Sequence, residues 1–88
     1  MSSTFEQAQR NLAANVKRVR LAAGISQEEL AFRAGIDRTY ASQIERAIAN
    51  PSLGITCSIA DALGVTAVDL LTKSAISTTP TSSGSRDK

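Results

Sequence analysis

Apolar residues recur along this chain at intervals of three and four, with polar residues between them. From Thr4 onward, Ala8, Leu12, Val16 and Val19 fall on one side of a helix. Short polar residues and glycines punctuate the pattern. Thr4 followed by Gln7 has the form of a capping box, in which a hydroxyl and a polar residue three positions on satisfy amides at a helix start. Ser26 with Glu29 repeats the form at the head of "SQEELAFRAG", and Asp37 is the N-cap of "DRTYASQIER". Ser52, after Asn50-Pro51, opens a fourth helix through Leu63, and Thr66 with Asp69 opens a short last helix ending near Leu71 or Thr72. Gly24, Gly35 and Gly64 stand at helix exits. No stretch alternates apolar and polar residues between turn signals, so the pattern predicts an all-α fold of five helices over residues 1–73. Beyond it, "SAISTTPTSSGSRDK" has almost nothing to bury, and residues 74–88 read as a disordered Ser/Thr-rich tail.

The second and third helices carry the most information. Only Gly35, Ile36 and Asp37 separate them, and so short a turn makes two helices cross steeply, in a helix-turn-helix arrangement. Ala31 is placed at the tightest point of the crossing, and Leu30, Ala34, Ile36, Ala41 and Ile44 are the expected seam. On a wheel with Arg38 as origin, Thr39, Ser42, Gln43 and Arg46 fall within an arc of about 140°. Ala41 and Ile44 lie opposite, with Tyr40 at a margin. One face is therefore apolar, and the other carries the side chains that hydrogen-bond base edges in a major groove: Arg to guanine, Gln to adenine, Thr to a thymine methyl. The first residues of such a helix reach furthest in, which favours Arg38 and Thr39, and Gln27, at the start of the second helix, is placed to meet phosphate beside that helix's amides.

Composition narrows the alternatives. There is no His, and Cys57 is the only cysteine, so histidine catalysis, a disulfide and a metal site are not expected, and Cys57 reads as a small buried hydrophobe. No cofactor is implied and a small-molecule ligand is not expected. No signal peptide is visible and no apolar run approaches the roughly 18 residues of a membrane span, which with the lone thiol reads as cytoplasmic. The pI near 9.1 suggests a nucleic-acid partner. Residues 1–72, however, carry seven bases and seven acids, which cancel, so any attraction to DNA must come from where charges sit. Lys17 and Arg18 read as a solvated face of the first helix.

"GISQEELAFRAGIDRTYASQIERAIANPSL" followed by "IADALGVTAVDLL" resembles the lambda-repressor-like, Cro/C1-type (XRE) helix-turn-helix family over roughly residues 10–72. The "IDRTY" opening of the third helix is also similar to the controller proteins of restriction–modification systems. The resemblance implies a compact five-helix DNA-binding domain in which Arg38, Thr39 and Tyr40 contact bases, with Gln43 joining them in some members. It implies backbone contacts from Gln27 and Arg46, with Ser42 assigned to the same phosphate-facing group, and a structural ion pair between Arg20 and Glu45. The bare residues leave Tyr40 open between DNA and the helix seam, and Arg46 between phosphate and an acidic neighbour. Ala47 stands where the family commonly has glycine, Ala49 where a basic residue often precedes Asn-Pro, and Thr56 where an apolar residue is usual. For Ala47 the expectation is that the third helix continues past it, with Ile48 tucked inward and the turn delayed to Asn50.

The apolar residues of the last two helices exceed what a short final helix needs. Some of Ile59, Leu63, Val65, Val68, Leu70 and Leu71 complete the core. Val65, Val68 and Leu71 are assigned to a twofold interface that would set two reading helices about 34 Å apart. The favoured reading is a non-enzymatic transcriptional regulator, a homodimer on double-stranded DNA at a palindromic operator. The alternatives are an antitoxin-like protein-interaction module, or the DNA-reading part of a larger ligand-sensing regulator.

Overall fold

The structure, a computed structural model, describes residues 3–73. The tail assigned to residues 74–88 lies outside the described residues. Five helices follow one another: α1 (Thr4–Ala22), α2 (Gln27–Ala34), α3 (Arg38–Glu45), α4 (Leu53–Leu63) and α5 (Ala67–Leu71). α2 packs on α3 and α4, while α1 lies along α5 and α3. Leu12, Val16, Leu30, Ile44, Ala49, Ile59, Ala60 and Leu70 form the buried core, with Ala34, Ile36 and Tyr40 packed at its edge. With so few aromatic residues, close helix approach replaces bulk, and Ala13, Ala31 and Ala41 are buried where helices meet.

The expected caps are largely in place. The side chains of Ser26, Asp37, Ser52 and Thr66 accept from amides in the first turns of α2, α3, α4 and α5. The first cap lies one residue earlier than expected: Ser3, not Thr4, accepts from the Glu6 N–H, and Glu6 returns the bond. At α2 the box is half made, because the Glu29 carboxylate pairs with Arg33 at 2.7 Å instead of reaching back to Ser26. Thr56, polar at an inward position, is buried and donates its hydroxyl to the Ser52 carbonyl at 2.9 Å, so a buried oxygen is satisfied one turn back.

Two expectations are overturned here. Cys57 is exposed, because α4 turns Thr56, Ile59 and Ala60 to the core and the position after Thr56 rotates outward. The third helix does not run past Ala47. It ends at Glu45, and Ala47 takes φ +60°. The Ala47 N–H donates to the Ile44 carbonyl at 3.1 Å and the Ile48 N–H to that of Gln43 at 3.0 Å, the paired bonds of a Schellman motif. Gly24, Gly35 and Gly64 make the same paired bonds at the exits of α1, α2 and α4. Ile25, Ile36 and Val65, which follow those glycines, pack on the core, whereas Ile48 is 59% exposed. The residue drawn inward is Ala49, whose carbonyl accepts from Gln9 Nε2 at 2.7 Å. The left-handed turn at Ala47 and the inward placement of Ala49 go together in this connection.

Candidate nucleic-acid interface

The α2–α3 unit is set by the turn at Gly35, whose positive φ of 72° lets Ile36 fold back to bond Ala31. Ala31 is 3% exposed at the crossing, leaving no room for a larger side chain. Behind α3 lies a buried brace. Arg20 Nε donates to Glu45 Oε2 at 2.6 Å and Nη2 to Oε1 at 3.1 Å, and Nη1 reaches the Ile25 carbonyl at 2.8 Å. The two side chains are 9% and 2% exposed. Taking two charges out of water costs several kcal/mol per ion, by roughly the same order as their attraction. The two-pronged geometry and the third bond offset that cost. The hydrogen bond that Arg20 donates to Glu45 raises Arg20 above its ordinary value, against the opposing effect of burial, so the guanidinium stays charged. The brace ties the end of α1 to the end of α3 and fixes the angle at which α3 is presented.

Arg38 and Thr39 are exposed at the start of α3, Ser42 and Gln43 are half-buried along it, and Arg46 is exposed just past its end. Neither Arg38 nor Arg46 makes an ion pair with another described residue. The side chains of Thr39, Ser42 and Gln43 make no hydrogen bond within the described residues either, so the whole row keeps its bonding capacity for a partner. Tyr40 is half-buried against the core cluster, which places its ring over the helix seam. Gln27 stands at the start of α2, and its Nε2 donates one hydrogen to Glu45 Oε1 at 3.1 Å, making the side chain a third member of the brace.

On the other side of the molecule, Val68 is 72% and Leu71 37% exposed. Val65 is instead drawn toward the core by the turn at Gly64. Leu71 also lines an apolar groove of about 180 Å³ with Phe5 and Leu53, which were not singled out in the sequence and are 50% and 71% exposed. Asn15 was also missed: it is 1% exposed and bonded to the end of α5. Its position three residues after Leu12, inside the apolar stripe of α1, is the signal that marks it. Among the described residues no group of His, Cys, Asp and Glu side chains is gathered as a metal site would need, and no helix is long and apolar enough to cross a membrane.

Comparison with known proteins places this arrangement. A family model described as helix-turn-helix matches residues 16–70. A hypothetical transcription factor of Neisseria meningitidis serogroup B is 48% identical over 60 residues, 68% of this chain and 57% of that protein, so the match spans little more than half of that relative. Control protein C.BamHI of Bacillus amyloliquefaciens is 47% identical over 57 residues, 64% of this chain and 70% of its own. The crystal structure of the hypothetical transcription factor NHTF from Neisseria superposes with a TM-score of 0.74 at 45% identity, covering 77% of this chain and 79% of that one. The restriction–modification controller protein C.AhdI from Aeromonas hydrophila superposes at 0.68 with 35% identity, over 70% and 94% of the two chains. With the matched residues running from the middle of α1 to Leu70 and enclosing the whole α2–α3 unit, the chain belongs to the helix-turn-helix family.

Proposed function

We propose that this protein is a sequence-specific DNA-binding transcriptional regulator of the controller type, acting in the cytoplasm as a homodimer on a palindromic operator. The observation that carries the reading is the outward row of α3, uncommitted within the described residues and held at a fixed angle by the Arg20–Glu45–Gln27 brace. Arg38, Thr39 and Gln43 read base edges, with Tyr40 contributing from the margin of the row. Ser42 and Arg46 meet the backbone. One Gln27 Nε2 hydrogen is held by Glu45, and the second stays available to meet phosphate beside the free amides of the first turn of α2. A second copy covers Phe5, Leu53, Val68 and Leu71, and the twofold axis sets the two reading helices one DNA turn apart. The descriptions of the relatives as transcription factor and control protein support binding rather than catalysis.

In-vitro selection of bound DNA from a random pool tests the base-reading assignment. The intact protein should enrich a palindrome. Arg38→Ala should relax the preference at one position per half-site, costing about 1–3 kcal/mol against the preferred base. An enriched site of unchanged sequence and strength in the variant would remove Arg38 from the reading row.

A further inference from the structure

α5 has five residues, Ala67–Leu71. Isolated helices are marginal even at about 12–15 residues, so α5 is held by its surroundings. Its start is closed by the reciprocal Thr66–Asp69 bonds, at 2.9 and 3.0 Å. Leu70, 0% exposed, plants it in the core. One buried side chain fixes a point but not a direction, and a short helix can still rock and roll about it. The end of α5 supplies what the direction needs. Asn15 Nδ2 lies 2.9 Å from the Leu70 carbonyl, 2.6 Å from that of Thr72 and 3.3 Å from that of Asp69, sharing its two hydrogens among them. Asn11, one turn earlier on α1, donates to the Leu71 carbonyl at 3.0 Å. Four consecutive carbonyls that have no acceptor role inside so short a helix are thus bound to two side chains of a different helix. The amide cannot be reversed without loss, because Arg18 Nη2 donates to Asn15 Oδ1 at 3.1 Å and holds the donor end toward α5.

We infer that Asn11 and Asn15 are positioning residues: a clamp that sets the direction of α5, and through Val68 and Leu71 the geometry of the dimer. The inference rests on the reading that Val68 and Leu71 face a second copy. Asn11 and Asn15 lie nine and five residues before Arg20 on α1 and share no hydrogen bond with the Arg20–Glu45 brace, so loosening the clamp breaks none of the bonds behind the reading helix.

The test compares three variants of the full chain: Asn15→Asp, which keeps the size and the bond to Arg18 but has no donor; Asn11→Ala, at a half-buried site; and Val68→Asp, which attacks the face directly. Sedimentation equilibrium gives the dimer constant, amide exchange reports on residues 70–72, and binding is measured on the selected palindrome and on one half-site. Val68→Asp should weaken dimerisation at least about tenfold, as should Asn15→Asp, and Asn11→Ala about fivefold, one ordinary hydrogen bond's worth. In both asparagine variants exchange at residues 70–72 should speed up, and half-site binding should stay within about twofold while palindrome binding falls. If Val68→Asp breaks the dimer but Asn11→Ala leaves dimer and exchange unchanged, the clamp is wrong and the interface stands. If Asn11→Ala weakens the half-site as much as the palindrome, the asparagines act only on general stability and the positioning role falls. If Val68→Asp has no effect, the interface reading falls and takes the clamp's role with it.

Discussion

Ala47 holds a left-handed conformation that L residues other than glycine and asparagine rarely adopt. It closes α3 with the paired Schellman bonds, and two residues later Ala49 is buried and bonded through its carbonyl to Gln9. Ala47→Gly should therefore stabilise the fold, by about 0.5–1 kcal/mol once the entropy that glycine loses on folding is set against the relieved strain. For a domain of this size that corresponds to a rise of roughly 3–6 °C in Tm by circular dichroism. An unchanged or lower Tm would show that the turn is not strained. The same locality explains what the residues disclosed and what they concealed. N-caps were legible because a hydroxyl and an amide two or three positions on meet whatever the rest of the chain does. The first cap slipped by one because Ser3 and Thr4 offer the same hydroxyl, and Glu6 is the stronger returning partner. Cys57 was misplaced for a different reason: composition says that cysteines are commonly buried, but the rotation of α4 about its axis decides which side faces the core.

At the scale of elements, α5 is the sensitive member. The Thr66 N–H, and after it the Thr66 hydroxyl, hold the Asp69 carboxyl below its ordinary value of 3.8. A carboxyl depressed by folding stabilises the fold fully above its unfolded value and loses that contribution as the pH falls through the lower, folded value. The start of α5 should therefore loosen on acidification below 3.8, seen as movement of the Thr66 and Asp69 amide resonances. Asp69→Asn, which keeps an acceptor without the charge, should flatten that response. An identical titration in both proteins would place the acid-sensitive group elsewhere. α2 and α3 differ from α5 in being braced from behind. The ion pair between Arg20 and Glu45 was implied by resemblance and is found. The place of Gln27 in the same network was not legible, because its Glu45 partner lies 18 residues away and only the helix crossing brings them together.

For the whole molecule, charge is the deciding quantity. Residues 1–72 have as many acids as bases, and the exposed cations of the reading side are few. DNA affinity should therefore depend weakly on salt for a protein of this kind. With about one to two charged phosphate contacts from each protomer, the slope of log K against log salt should lie at about −2 to −4. Arg46→Ala should make it shallower by about two per dimer. Fluorescence anisotropy over a salt series measures both; a steep slope that Arg46→Ala leaves untouched would mean that other cations carry the backbone contacts. Affinity then rests on the fit of the reading row and on pairing two copies, which is where the orientation of α5 acts.

The sequence by itself determined the five helices, four of their five N-caps, three of the four glycine-type exits and the outward row of α3. All of these are decided by side chains and amides within about four residues of one another, or by the helical period. Only the tertiary structure decided that Ala47 turns where glycine is usual and that Gln27 donates to Glu45. It also decided that Phe5 and Leu53 share a groove with Leu71, and that Asn15 closes the end of α5. These contacts join residues from 18 to more than 50 positions apart. Their partners depend on how each helix is rotated and crossed in the packed core, which no local pattern of residues specifies.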